Sequence, residues 1–168
     1  MRRLKLLTNA ILKTFADMVY NNQRRVHRVW IVSPWIGGDG LRRDPLYLLI
    51  EAVRRTSCDV ILITRPPKDV WHQDAINLLE KYAGATVYYC PALHTKLYLL
   101  ECNGFRGAVL GSPNLTSRAE KANREIAVEF RTTVTADDDD VATVINELTE
   151  YVSSLRGEDG VYLKQSSN

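Results

Sequence analysis

Cysteine is scarce in this chain: Cys58, Cys90 and Cys102 are the only three among 168 residues. Their number is odd and no two stand in a CxxC spacing, which argues against a disulfide framework and against a structural zinc site. They read as small buried hydrophobes. Long apolar runs are also absent. No stretch approaches the roughly 18 apolar residues that a bilayer span requires, and MRRLKLLTNAILKTF lacks an unbroken apolar core before a small-residue cleavage site. A cytosolic protein without membrane attachment is therefore expected. HExxH and EF-hand patterns are missing too, so the sequence suggests neither a metal nor another cofactor. Gly37, Gly38 and Gly40 follow a strand-like segment, but GGDG lacks the lysine–hydroxyl pair of a phosphate-cradling loop. No internal repeat is visible.

What is present is ordinary globular composition, 45% hydrophobic and 25% charged. That suits a single domain over 1–168, with a tail from about residue 157 that is expected to fray. The net charge of +2 conceals an asymmetry. Arg2, Arg3, Lys5, Lys13, Arg24, Arg25, Arg28, Arg42 and Arg43 face only Asp17 and Asp39 in the first 43 residues, whereas residues 132–168 carry eight acids against Arg156 and Lys164. A clustered basic end suits a polyanion, although Arg2, Arg3 and Lys5 equally fit a solvated helix face.

Hydrophobic periodicity supplies the elements. Leu4, Leu7, Ile11, Phe15 and Met18 recur at helical spacing and predict a helix over the first twenty residues. VHRVWIVS reads as a buried strand ending in the turn-rich SPWIGGDG. Asp44 is then a cap and Pro45 the opening of a helix bearing Leu46, Leu49, Ile50 and Val53. CDVILIT is a second buried strand. A helix over about Gln73–Tyr82 follows, ended by Gly84, and then the strand ATVYY. Asn103-Gly104 marks a tight hairpin turn between β-rich segments at about Leu93–Cys102 and Phe105–Leu110. EIAVEF is a further strand. Val141, Val144, Ile145, Leu148, Val152 and Leu155 predict a last helix, whose N-terminus the acids Asp137–Asp140 would complement. The order implies an α/β fold, a mixed β-sheet flanked by helices.

Chemistry concentrates in HTKLYLLECNGFRGAVLGSPNLTSRAEKANREIAVEF, residues 94–130. His94 and Lys96, two apart in a predicted strand, leave the same face of the sheet. After the hairpin the chain returns to Gly111-Ser112-Pro113-Asn114, where Ser112 and Asn114 offer neutral hydrogen-bonding groups beside a glycine that admits close backbone approach. A nucleophile, a cation and two polar anchors thus converge. Each is commonplace singly; their order is what points to a site.

These residues resemble the phospholipase D superfamily, whose signature is HxKxxxxD, then GSxN, then a later glutamate. His94, Lys96, Gly111, Ser112, Asn114 and Glu125 match it, with Glu101 in place of the aspartate. Nine residues separate Glu101 from Gly111 where six are usual, and the Asn103-Gly104 tip has room for the extra ones. The resemblance implies a phospholipase D-like fold and metal-independent phosphodiester hydrolysis, with His94 forming a phosphohistidine and a second histidine protonating the leaving oxygen. His27 and His72 have no such motif around them. The second histidine is therefore expected to be His94 of another copy, so that a homodimer shares one active site. Lys96 and Asn114 would bind phosphate oxygens. Ser112 and Glu125 would support them, Glu125 by accepting the other imidazole N–H, and Glu101 and Gly111 would serve structural ends.

Nucleic acid is the expected substrate, because a basic-ended chain without a membrane segment suits it better than lipid. Trp35 is a candidate for stacking on a nucleobase, Arg42 and Arg43 for reaching backbone phosphates, and Arg118, just beyond GSxN, for a phosphate near the cleft. A packed tryptophan with solvated arginines is the competing reading. Two other functions stay open: a phospholipase or phosphatidyl transferase, and a silent nucleic-acid-binding or scaffold subunit of a larger defence or restriction complex.

Overall fold

The computed structural model describes residues 3–38, 44–133 and 140–165. In chain order its elements are β1 (Arg3–Leu7), α1 (Ile11–Asn21), β2 (Val26–Val32), β3 (Ile36–Gly37), α2 (Pro45–Val53), β4 (Asp59–Thr64), α3 (Val70–Ala83), β5 (Thr86–Tyr89), β6 (Leu97–Cys102), β7 (Phe105–Gly111), β8 (Leu115–Thr116), α4 (Ser117–Lys121), β9 (Ala127–Thr132), α5 (Asp140–Leu155) and β10 (Tyr162–Leu163). Eight strands form one mixed sheet in the order β1-β9-β7-β6-β2-β4-β5-β10, and β3 pairs with β8 in a small separate ladder.

The mixed character follows from the connections. Helices α2 and α3 carry the chain across to make β2, β4 and β5 parallel, while a tight hairpin sets β7 antiparallel to β6 and the longer β8–α4 connection returns β9 antiparallel to β7. Asp44 caps α2 by accepting the Leu46 amide at 2.8 Å, with Pro45 opening the helix. Gly104, at φ 80°, makes the β6–β7 turn. One face of the sheet packs on α1, α2 and α3 through Phe15, Met18, Leu49, Ile50, Ile76 and Leu79; the other packs on α5 through Trp30, Leu97, Leu99, Ile145, Val152 and Leu155.

Two expectations are corrected. The first helix begins at Ile11, because Arg3–Leu7 is instead an edge strand antiparallel to β9, registering Leu6 on Val128. Hydrogen bonds to β9 outweigh a leucine spacing that fits either period. The start of α1 then has no cap of its own; Ala10 is left-handed, and Glu120 of α4 accepts the Leu12 and Lys13 amides at 3.1 and 3.3 Å. The segment read as a fraying tail carries β10, which pairs Tyr162 with Tyr89, and Lys164 N donates to Val87 O at 2.9 Å. Of the acidic run, Asp140 is the first residue of α5, while Asp137–Asp139 lie outside the described residues. Cys90 and Cys102 are buried and Cys58 is half-buried; burial pushes the Cys102 thiol up to about 12, so it stays neutral.

Candidate active site

The sheet brings the motif residues to one end. His94 precedes β6, Ser112 follows β7 and Glu125 precedes β9, while Trp35 and Arg65 follow β2 and β4. That end is also the carboxyl end of the parallel strands, the usual binding edge of an open α/β sheet. His94 and Lys96 are not inside the strand, as the alternation suggested. β6 starts at Leu97, and the two residues lie on the approach to it after the turn at Pro91-Ala92.

Backbone pairing assembles the rest. Gly111 N donates to Lys96 O at 3.2 Å, and Ser112 N to Ile126 O at 2.9 Å, which sets the three motif segments side by side. A Cβ on Gly111 would fall 2.4 Å from both the Ala127 Cβ and the Ile126 carbonyl oxygen, so only glycine allows this approach. Ser112 Oγ donates to Glu125 Oε2 and accepts the Ile126 amide at 3.0 Å; Asn123 Nδ2 donates to Glu125 Oε1 at 3.0 Å. Both Glu125 oxygens are thus engaged within the turn rather than by the imidazole.

The imidazole is instead met by Arg65, a residue the sequence reading missed. Its Nη2 lies 2.6 Å from His94 Nε2, and its Nε donates to Leu93 O at 2.7 Å. A guanidinium only donates, so Nε2 is the acceptor in this contact. That bond takes up the Nε2 lone pair, so Arg65 must release the ring before Nε2 can act as a nucleophile. Arg65 also lies over the Trp35 ring at 4.8 Å.

A second set of bonds ties the β2 exit loop to the turn containing Asn114. Ser33 Oγ donates to Trp35 O at 2.7 Å and accepts the Leu115 amide at 3.1 Å. The buried Tyr98 hydroxyl donates to Pro113 O at 2.8 Å, and desolvation raises its pKa. Asp44 Oδ2 accepts from Ser117 Oγ. The result is a cleft of about 720 Å³ lined by Trp35, Trp71, Asn114, Arg118 and Asn123 among others. Asn114 Oδ1 is shielded from solvent and has no hydrogen-bond partner among the described residues.

Other candidates fall elsewhere. Glu101 lies at the far end of β6, where it accepts from Trp30 Nε1 at 2.6 Å and sits 3.6 Å from His27 Nε2. Arg24, Arg25 and Arg28 also lie at that opposite end, before or early in β2, and Arg28 pairs with Asp59 at 3.3 Å. Arg42 and Arg43 lie outside the described residues. His72 is buried against Thr64 Oγ1 at 3.0 Å, and desolvation lowers its pKa. No His, Cys, Asp or Glu cluster suited to a metal ion occurs among the described residues. Nor is any described helix long and apolar enough to cross a membrane.

No protein-family model matches this sequence, and no curated protein does. Solved structures do match. Nuc from Salmonella typhimurium, a phospholipase D family member, superimposes with TM-score 0.74 at 14% identity, covering 99% of this chain and 100% of that one. The fold is that of phospholipase D. NucT from Helicobacter pylori shares this fold with TM-score 0.62 at 16% identity over 93% of this chain and 97% of its own. Part of a polyphosphate kinase from Porphyromonas gingivalis also superimposes, with TM-score 0.63 at 12% identity over 98% of this chain and 27% of that one.

Proposed function

We propose that this chain is a metal-independent phosphodiesterase that cleaves nucleic acid, with one active site shared by two copies. The observation that carries this reading is an exposed His94 whose Nε2 faces a guanidinium, at the sheet end where Lys96, Ser112, Asn114 and Glu125 also gather. Phosphodiester cleavage without a metal needs a nucleophile, an acid for the leaving oxygen and positive charge around the phosphoryl oxygens. One chain supplies the first and third.

In this scheme Arg65 moves from His94 Nε2 to the phosphoryl oxygens, Nε2 attacks phosphorus, the P–O bond to the leaving group breaks, and the partner's His94, entering in its protonated form, gives that oxygen its proton. Water then attacks the phosphohistidine, losing its proton to the same second imidazole, and Nε2 is released. Lys96, Asn114 and Arg65 stabilise the charge on the phosphoryl oxygens. Apolar side chains exposed around this end support a second copy there: Leu6 is 59% and Ile126 is 53% exposed, and Ile126 is bonded to Ser112 through its amide.

The test is incubation of the purified chain with labelled single- and double-stranded DNA and RNA in excess EDTA, beside its His94→Ala variant. Cleavage by the parent alone is expected. Cleavage that vanishes with EDTA and returns with magnesium would contradict the mechanism, and equal cleavage by the variant would remove His94 from it.

A further inference from the structure

The cleft lined by Trp35 has two aromatic walls and adjoins His94 through Arg65, which touches both. Trp35 is 37% exposed and Trp71 47% exposed, and both line it. Exposed tryptophans usually have unsettled surroundings, but each of these rings is held. Arg65 covers Trp35 at 4.8 Å, and the same guanidinium touches His94. Trp71 stacks on the buried His72 with centroids 5.6 Å apart and planes at 23°, and His72 is itself fixed by Thr64. Gly37 of the short strand β3 completes the seat: a Cβ there would fall 2.6 Å from Trp71 Cε3, so the indole lies against bare backbone. Facing these rings are Asn114, Arg118 and Asn123, which are polar or cationic.

We infer that this cleft takes an unpaired nucleobase next to the scissile phosphate, so that the substrate strand is single-stranded. The inference rests on the nuclease reading above. Indole faces bind any base through its π-surface, while a paired base in a duplex has both faces occupied by its neighbours. A volume of about 720 Å³ is in the range of small-ligand sites, and Arg118 suits the adjoining phosphate. Lipid would also fill an aromatic cleft, but the amide and guanidinium wall favours a polar, anionic ligand.

Binding is measured by quenching of tryptophan fluorescence in the full-length His94→Ala protein, with no metal present. The ligands are a single-stranded oligonucleotide, the same length with abasic residues, the corresponding duplex, and phosphatidylcholine vesicles. Expected are tightest binding to the base-bearing single strand, and a loss of roughly 5- to 100-fold for that ligand on Trp71→Ala. Binding of the abasic strand should not change, and Trp71→Phe should restore most of the loss. Equal losses on base-bearing and abasic strands, equal affinity for duplex, or Trp71-dependent binding of vesicles alone would overturn the inference. Because binding is read apart from cleavage, base-dependent binding by a chain whose parent cuts nothing would sustain the cleft assignment while ending the nuclease reading.

Discussion

At the scale of single residues, His94 and Arg65 form a bonded pair. His94 is exposed and contributes little to the core, so His94→Ala should abolish turnover without moving the melting temperature. Arg65→Ala should lower kcat by roughly 100-fold, the usual cost of removing one donor from a developing oxyanion, with the fold intact by circular dichroism. His94 stands out as a candidate in the sequence because HxK and GSxN occur in order. Arg65 does not, since an arginine before two prolines looks like any loop residue until β4 ends beside the approach to β6. His72 makes a prediction of another kind. Its folded pKa lies below the ordinary 6.5 because burial disfavours the charged ring. The unfolded state therefore binds the proton more readily, so stability is full above about pH 6.5 and falls as pH drops from there towards the folded value. Thermal melts between pH 5 and 8 should show that slope, and His72→Gln should flatten it.

Secondary-structure elements matter through the turns that deliver side chains to one edge. Gly111→Ala would drive a methyl group into Ala127 and the Ile126 carbonyl, so β7 and β9 must separate where Ser112 meets Glu125. A loss of about 1–3 kcal/mol in urea unfolding is expected, with kcat falling further than that of Gly104→Ala, whose hairpin tip lies at the other end of β7. Local signals identified some elements well: Asp44-Pro45 for α2, Asn103-Gly104 for the hairpin, the apolar spacing of Val144, Ile145, Leu148 and Val152 for α5. Edge strands β1 and β10 escaped, because their partners lie over a hundred positions or several elements away and their own residues are too few to show a period. Trp71 escaped for a different reason: the expected helix began only at about Gln73, whereas α3 begins at Val70, and no spacing shows that an exposed indole rests on Gly37.

For the whole molecule, one chain is half an active site under the proposed mechanism. Hydrolysis should persist in EDTA, be blocked by vanadate, and weaken as salt rises, since bound counterions compete with the basic groups for phosphate. Leu6→Glu combined with Ile126→Glu should give monomers by sedimentation and lose activity together, because both side chains are exposed at the edge that carries Ser112. The overall sheet was legible as a class, helices alternating with buried strands, and the resemblance carried the motif onto it. How two copies meet was not, since exposed apolar positions become recognisable only once burial is known. Mixed dimers test the shared site most directly. Parent chain and His94→Ala are unfolded together, refolded in varying ratio at constant total concentration, and assayed for phosphodiester cleavage. If two His94 imidazoles act in one site, activity falls with the square of the parent fraction, to about one quarter in an equal mixture. A linear fall, to about one half, would mean that each chain works alone and would contradict the account.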